Sequence, residues 1–134
     1  MTTVDRLKHL ELIQAVVTRV AGNSFLLRGW SVTLVGALLA VSAKETQVLF
    51  AALAVFPTVA FAILDVYYLR QERMFRGLYD KVRHASEADL SADPYTLSTK
   101  GIRCPVLEAV IRPVILIAHL PIFATIGIVI ALLW

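Results

Sequence analysis

The fold is decided by one stretch, Ile63-Leu64-Asp65-Val66-Tyr67-Tyr68-Leu69-Arg70-Gln71-Glu72-Arg73, in which an apolar run becomes a charged one. The chain is almost wholly apolar over 48–62 and densely charged after this stretch. Neither Gly nor Pro interrupts 59–75, so a single helix is predicted to pass through this change of solvent. Tyr67 and Tyr68 occupy the position of an interfacial aromatic belt. The stretch therefore predicts a membrane-spanning helix that continues into water.

The composition of the chain is that of a membrane protein. Hydrophobic residues make up 58% of its 134 residues, and the mean hydropathy is +0.74, which is too apolar for a small soluble core. The formal net charge is +3, but the basic residues fall where membrane topology requires them, so no nucleic-acid partner is predicted. A single cysteine excludes an intramolecular disulfide.

The N-terminal residues 3–22 predict an amphipathic helix. Its apolar side chains recur at spacings of three and four: Leu7, Leu10, Ile13, Val17 and Val20. The helix is too polar to span a bilayer, so we expect it to lie on the membrane surface or to pack against a partner helix. Gly22-Asn23-Ser24 combines a helix stop with helix starts, which predicts a joint before the first span.

Three apolar runs are long enough to cross a hydrocarbon core of about 30 Å. The predicted segments are a first span at 25–43, a second at 48–70, a cytosolic stem at 71–84, a cytosolic loop at 85–104, and a third span with a lead-in helix at 105–134. Pro57 is expected to loosen or bend the second span. The predicted fold is a single all-α membrane domain, 1–134, with three transmembrane helices, an N-terminal amphipathic helix and a cytosolic extension of the second span.

Lysine and arginine are distributed unevenly between the two sides of the predicted spans. Only Lys44 lies in the short turn between the first two spans. The segment between the second and third spans holds Arg70, Arg73, Arg76, Lys81, Arg83, Lys100, Arg103 and Arg112. The positive-inside rule then places the N-terminus, stem and loop in the cytosol and the C-terminus outside, with Trp134 as an anchor at the outer interface.

Small residues line one face of each of the first two spans. They are Gly29, Thr33, Gly36 and Ala40 in the first span, and Ala51, Ala54, Thr58 and Ala62 in the second. Such faces let helix backbones approach closely, so both are predicted to be packing faces and to favour oligomerisation. Asp65 continues the second face, which points it towards protein and away from lipid.

Arg28 and Asp65 are the strongest candidates for a specific role. Each is predicted to lie within about two turns of the cytosolic interface, on antiparallel neighbouring helices, where a charge is costly. An ion pair would relieve both desolvation costs. Such a pair would fix the register of the helices or serve as a gate or relay; the alternative is that each side chain reaches water independently.

His119 lies inside the third span, beside Pro121. A membrane histidine can move protons or sense pH, but no second titratable residue accompanies it within the run 114–134. A structural hydrogen bond to a neighbouring helix is therefore preferred, with a polar switch as the alternative.

The chain lacks the sequence patterns of catalysis. It contains no glycine-rich phosphate loop, no His-Glu-x-x-His, no Gly-x-Ser-x-Gly and no paired metal ligands. No enzymatic activity, cofactor or metal is therefore predicted. Because no span carries a continuous polar stripe, a pore would require several copies and would be closed at rest or gated by an apolar constriction.

Four patterns stand out along residues 7–80: Leu10-x-x-Ile13-Gln14-x-x-x-x-Arg19, Asn23-Ser24-Phe25-Leu26-x-Arg28-Gly29-Trp30, Phe56-Pro57 and Leu64-Asp65-x-Tyr67-Tyr68-Leu69-x-Gln71-Glu72-Arg73-x-Phe75-Arg76-x-Leu78-Tyr79-Asp80. Together they resemble the RipA-type octameric proteins, a family of small bacterial inner-membrane proteins. More loosely, they resemble the SLATT-type membrane effectors of bacterial conflict systems. The first resemblance implies a homo-oligomer in the inner membrane. The second implies a pore that opens in defence or stress when a sensor acts on it.

The favoured hypothesis is a non-enzymatic, homo-oligomeric membrane effector whose opening, triggered through its cytosolic parts by a sensor or regulatory protein, disrupts membrane integrity. The alternative is a structural or scaffolding oligomer that organises lipids or recruits a cytosolic partner through the predicted loop. A transporter subunit is a third possibility, although three spans are too few for a typical transporter. The expected partners are the lipid bilayer and other copies of the chain.

Overall fold

The computed structural model describes residues 3–86, 88–89 and 95–134. Its elements are α1 (Thr3–Glu45), α2 (Val48–Leu53), α3 (Val55–His84), α4 (Val106–Val110) and α5 (Pro113–Leu133). Within the described ranges the chain is helical and has no strand. Three segments are long and apolar enough to cross a membrane: Asp5–Glu45, Val48–His84 and Pro113–Leu133. The all-α class and the three candidate spans, judged by length and composition, are confirmed.

The predicted joint at residues 22–24 is absent, because α1 runs unbroken from Thr3 to Glu45. From Ile13 onwards, the buried face of α1 keeps one phase along the helix and consists of Ile13, Val17, Ser24, Ser31, Val35 and Ser42. We call these six residues the inner seam; they are four or seven positions apart and therefore share one side of the helix. The hydroxyl of Ser24 donates to a side chain of α3. Tertiary packing along the seam thus overrides the local stop and start signals.

The N-terminal part of α1 packs against α3. Ile13 and Val17 form a buried cluster with Leu78 and Val82. Leu7, on the same predicted stripe, remains 57% exposed. The segment therefore packs against a helix, as one of the two expected arrangements has it, and that helix belongs to the same chain.

The second span is interrupted at Ala54, which separates α2 from α3. Ala54 keeps a right-handed helical conformation, with φ −65° and ψ −20°, and its carbonyl accepts from the backbone N–H of Thr58 at 3.3 Å. Pro57 has no N–H to donate to the carbonyl of Leu53, four residues earlier. The loosening expected of Pro57 is therefore located one turn before the proline.

The small residues of the second span form the membrane part of the core. Ala51, Ala54 and Thr58 are completely buried, and Ala54 packs with Val35 of α1 and Ile126 of α5. The hydroxyl of Thr58 donates to the carbonyl of Ala54 at 2.7 Å, so this polar group is satisfied within its own helix. All three candidate spans therefore meet along this face.

Segment 95–104 packs back on α1 and α3. Arg70 Nε donates to the carbonyl of Cys104 at 2.8 Å, and His9 Nε2 lies 2.8 Å from the carbonyl of Thr96. This part of the predicted loop is thus attached to the helical core. Residues 87 and 90–94 of the predicted loop lie outside the described residues.

Gly77 marks a close approach between this segment and α3. A Cβ added at Gly77 would lie 2.8 Å from Cγ2 of Ile102, well inside a carbon–carbon contact of about 3.5–4.0 Å. We expect Gly77→Ala to destabilise the protein by about 1 kcal/mol through this clash. Gly127→Ala, where nothing lies within 4 Å, is the matched control and should be neutral or stabilising. Equal stability of the two variants on denaturation in detergent micelles would contradict the close approach.

Candidate functional site

The three spans meet at one buried carboxylate, that of Asp65 on α3. It is completely buried and accepts hydrogen bonds from side chains of α1 and α5. An unpaired carboxylate is costly inside a membrane protein, so its partners decide whether the helices can pack at this depth. We call the four side chains of Ser24, Arg28, Asp65 and His119 the carboxylate cluster.

Arg28 and Ser24 form the α1 side of the carboxylate cluster. Arg28 Nε donates to Asp65 Oδ2 at 2.7 Å, and Arg28 Nη2 donates to Asp65 Oδ1 at 3.0 Å. This two-point geometry makes a strong and oriented ion pair. The hydroxyl of Ser24 donates to Asp65 Oδ1 and accepts from Arg28 Nη2 at 3.0 Å. Because Ser24 and Arg28 are four residues apart, one face of α1 presents both.

His119 forms the α5 side of the cluster. Its Nε2 lies 3.1 Å from Asp65 Oδ2, and since a carboxylate only accepts hydrogen bonds, Nε2 carries the hydrogen. The side chain is 6% exposed. Its other nitrogen, Nδ1, is buried and finds no partner within the described ranges. The preferred expectation for His119, a hydrogen bond to a neighbouring helix, corresponds to this contact with α3.

The chemistry of the cluster is that of a clamp between helices. Both oxygens of Asp65 are engaged by donors from two other helices, so the carboxylate resists separation of α1, α3 and α5. The Arg28 side chain is 26% exposed, which brings one side of the cluster close to the surface of the chain. In the part of the chain that the structure describes, no group of three or more His, Cys, Asp or Glu side chains is placed to hold a metal ion.

The two predicted small-residue faces point in different directions. Those of the second span lie inside the chain, where Ala62 is half-buried and the other three are buried. Those of the first span are all exposed, on the opposite side of α1 from the inner seam. Gly22 is also exposed and continues the exposed face by seven residues. We call this exposed set the outer glycine face: Gly22, Gly29, Thr33, Gly36 and Ala40.

Nothing in the described chain covers the glycines of the outer glycine face. A Cβ added at Gly22, Gly29 or Gly36 would meet no atom within 4 Å. The packing role predicted for Gly29 and Gly36 is therefore not fulfilled within a single chain, whereas Ala51 and Ala54 pack within it.

The predicted interfacial aromatics lie outside the carboxylate cluster. The rings of Tyr67 and Tyr68 meet edge-on with centroids 5.6 Å apart, and Gln71 Nε2 donates to the Tyr67 hydroxyl oxygen at 3.0 Å. Tyr67 is 52% exposed and Trp134, beyond the end of α5, is 97% exposed. Amphipathic rings with this exposure suit a membrane interface.

Three exposed hydrogen bonds involve the segments that flank the long helices. Arg112 and Arg73 both donate to the carboxylate of Glu108, and these hydrogen bonds, that from Arg112 foremost, lower the pKa of Glu108. The hydroxyl of Tyr95 donates to Asp5 at 3.0 Å, and this hydrogen bond raises the pKa of Tyr95. Exposed contacts of this kind orient segments and add little stability.

Two members of the cluster were not predicted as partners of Asp65. Ser24 is a typical N-cap residue, and the local sequence therefore predicts a helix start there. In the structure it lies one turn before Arg28 on the same face of α1. For His119, the contact could have been predicted from its position along α5. His119 lies six residues into α5 from Pro113, and Asp65 lies five residues from Arg70, so at 1.5 Å per residue they lie about 9 Å and about 7.5 Å from the ends of their apolar runs.

Removing the histidine side of the cluster should weaken the fold moderately. We expect His119→Leu to lower the free energy of unfolding by about 1.5 kcal/mol, near the lower end for a hydrogen bond to a charged group, because Asp65 keeps Arg28 and Ser24. His119→Gln retains an N–H donor and should recover part of this loss. Denaturation in detergent micelles checks both variants. A His119→Leu protein as stable as the parent would show that the contact with Asp65 contributes nothing.

Comparison of the sequence and fold with protein-family models, curated proteins and solved structures found no match. The resemblance to RipA-type and SLATT-type proteins therefore stays an expectation.

Proposed function

We propose that this chain is a non-enzymatic membrane protein that acts as a homo-oligomer and disrupts membrane integrity when it opens. The observation that carries the proposal is the outer glycine face. It belongs to a helix whose inner seam is already occupied by the chain itself. The face extends over residues 22–40, about 27 Å at 1.5 Å per residue, which is close to the thickness of a hydrocarbon core of about 30 Å.

A second copy of the chain suits the outer glycine face. Gly22, Gly29 and Gly36 recur every seven residues, the spacing that keeps a seam turned towards a partner helix. In lipid, apolar burial alone does not drive helix association, so close backbone approach through small residues becomes decisive. Large apolar side chains flank the face, with Phe25 74% and Trp30 64% exposed. They would pack around the close contact between two α1 helices.

We propose that the carboxylate cluster keeps the assembly closed. Asp65 holds α1, α3 and α5 of one chain together at a single depth. Releasing it would expose a carboxylate, a guanidinium and an imidazole at that depth, and polar groups in a membrane require water or one another. The opening proposed here is therefore a separation of the helices at the cluster.

Segment 95–104 offers a route for a trigger. Its contact with Arg70 lies five residues from Asp65 on the same helix. A sensor or regulatory protein that displaced this segment would therefore act on α3 beside the carboxylate cluster. In this proposal the segment, the N-terminus and the end of α3 face the cytosol of a bacterial cell, and the C-terminus lies outside its inner membrane, in keeping with the positive-inside rule.

Dye leakage from vesicles tests the opening. Asp65→Asn removes the charge of the clamp, so vesicles holding this variant should release an encapsulated dye several-fold faster than vesicles holding the parent protein. Asp80→Asn, at an exposed position of α3, is the matched control and should behave as the parent. Flotation of the vesicles establishes equal insertion. Equal leakage from all three proteins, or none under any trigger, would overturn the proposed function.

The alternative function, a scaffold that recruits a cytosolic partner or organises lipids, is supported by the packing of segment 95–104 on both α1 and α3. Leu97 of this segment is 43% exposed and available to a partner. Under the scaffold function, Leu97→Ser should abolish capture of a defined cytosolic partner, and Asp65→Asn should not cause leakage. Under the effector function, Asp65→Asn causes leakage with or without Leu97→Ser.

A further inference from the structure

We propose that the groove between α3 and α5 binds one anionic phospholipid, with an acyl chain in the groove and the phosphate at Arg70. The inference is independent of the proposed effector function, because it concerns a surface of a single chain. It follows from the shape of the groove, the charge at one end and the match between the length of the groove and one leaflet of a bilayer.

The groove is a sizeable apolar cavity open on one side. Its volume is about 470 Å³, within the range of about 300–1,000 Å³ that is usual for small-ligand sites. The walls include Ala62 and Val66 of α3, and Leu116 and Phe123 of α5. Ile63 and Leu120 also line it and are 65% and 59% exposed. The groove therefore opens to the outside of the chain, where the acyl chains of a bilayer would be.

Arg70 gives the groove a cationic end. Among the described residues, it is the one Lys or Arg that lines the groove. Its Nε donates to the carbonyl of Cys104, and no ion pair found in the described ranges involves it. The next two arginines of α3 differ, because Arg73 is paired with Glu108 and Arg76 with Glu72. The positive charge of Arg70 is thus left for an anion from outside the chain.

The length of the groove matches one leaflet. Along α3 it runs from Val59 to Arg70, eleven residues or about 16 Å at 1.5 Å per residue. Half of a hydrocarbon core of about 30 Å is about 15 Å. Arg70 stands at the point where the sequence turns from apolar to charged, which is the level of lipid headgroups. An apolar slot of this length with a free cation at headgroup level fits an acyl chain joined to an anionic phosphate group.

His119 connects the groove to the carboxylate cluster. Its ring lines the groove and is part of a residue only 5% exposed. Nδ1 of this ring is one of three buried side-chain atoms in the described ranges that find no hydrogen-bond partner. A lipid in the groove would therefore lie against the ring that binds Asp65, and would seal the cluster from the bilayer side.

Lipid retention measured by native mass spectrometry tests the site. The full-length protein, stripped of lipid in detergent, is offered equal amounts of dioleoyl phosphatidylglycerol and dioleoyl phosphatidylcholine, which share their acyl chains. The parent protein should retain one phosphatidylglycerol per chain with about a tenfold preference. Arg70→Gln should abolish the preference for phosphatidylglycerol. Arg70→Lys should keep the preference, because lysine retains the positive charge although it lacks the guanidinium group that donates to Cys104.

Steric block tests the groove separately from the charge. Leu116→Trp fills the groove and should reduce retention of both lipids at least fivefold. The neighbouring Ile117→Trp, at a position that is 74% exposed and outside the groove, should retain lipid as the parent does. Equal retention of the two lipids by the parent, no retained lipid because a second copy covers the groove, or unchanged retention by both Arg70→Gln and Leu116→Trp would each overturn the proposal.

Discussion

Asp65→Asn is expected to lower the free energy of unfolding by about 3 kcal/mol, because it leaves the Arg28 guanidinium without its counter-charge among apolar helices. Loss of one partner of a buried pair costs about 3–5 kcal/mol. The lower value applies here because 26% of the Arg28 side chain remains exposed and can recover some hydration. Denaturation in mixed detergent micelles, followed by helical circular dichroism, measures the change.

A double-mutant cycle separates the pair from its surroundings. Arg28→Gln combined with Asp65→Asn removes both charges, so the double variant should be less destabilised than the sum of the single variants, with a coupling of about 2 kcal/mol. Asp80→Asn, at an exposed position on the same helix, should change stability by less than about 0.5 kcal/mol. Strictly additive single effects would mean that the ion pair contributes no stability.

The second large effect is expected at the outer glycine face. The double variant Gly29→Leu and Gly36→Leu should raise the dissociation constant of the oligomer at least tenfold, because leucine side chains prevent close approach of two α1 backbones. The single chain should remain folded, since both positions are open and no atom lies within 4 Å of an added Cβ. Molar mass by light scattering in detergent and helical content by circular dichroism provide the two readouts.

Gly127→Leu is the matched control for the glycine variants. Gly127 also lies in a candidate span and has nothing within 4 Å, but it belongs to α5. It should leave the oligomer unchanged. If Gly127→Leu dissociated the oligomer while Gly29→Leu and Gly36→Leu had no effect, the interface would lie on α5 and not on α1.

The two faces of α1 explain why one helix carries residues of such different character. The inner seam contains Ser24 and is completed by Arg28, because α1 must meet the carboxylate of α3. The outer glycine face contains small residues, because in our proposal it must meet another copy of the same helix. The inner seam extends over residues 13–42 and the outer glycine face over 22–40, so both patterns keep one phase through Gly22-Asn23-Ser24.

Much of the fold is predictable because hydrophobic length and charge are local properties. The run 59–75, which has neither Gly nor Pro, predicts one continuous helix, and α3 does run from Val55 to His84. The depth of Arg28 and of Asp65 from the same interface predicts that they can meet, and they do at 2.7 Å.

The rest depends on contacts between distant parts of the chain. Gly22-Asn23-Ser24 is read locally as a joint, but the contact of Ser24 with Asp65 is 41 residues away in sequence, and it keeps α1 in register. The role of His119 likewise requires the placement of α5 beside α3. The position of segment 95–104 follows from single hydrogen bonds such as that of His9 with Thr96, for which the sequence carries no periodic signal.

The central claim is that α1 turns its inner seam to its own chain and its outer glycine face to a second copy. Cysteine cross-linking in native membranes tests it directly, with Cys104→Ser as the background because Cys104 is the chain's one cysteine. Gly29→Cys lies on the outer glycine face, and Ser31→Cys, two residues away, lies in the inner seam and is completely buried. We predict that oxidation yields disulfide-linked dimers with Gly29→Cys and none with Ser31→Cys. Dimers from Ser31→Cys alone, or from neither variant, would contradict the claim.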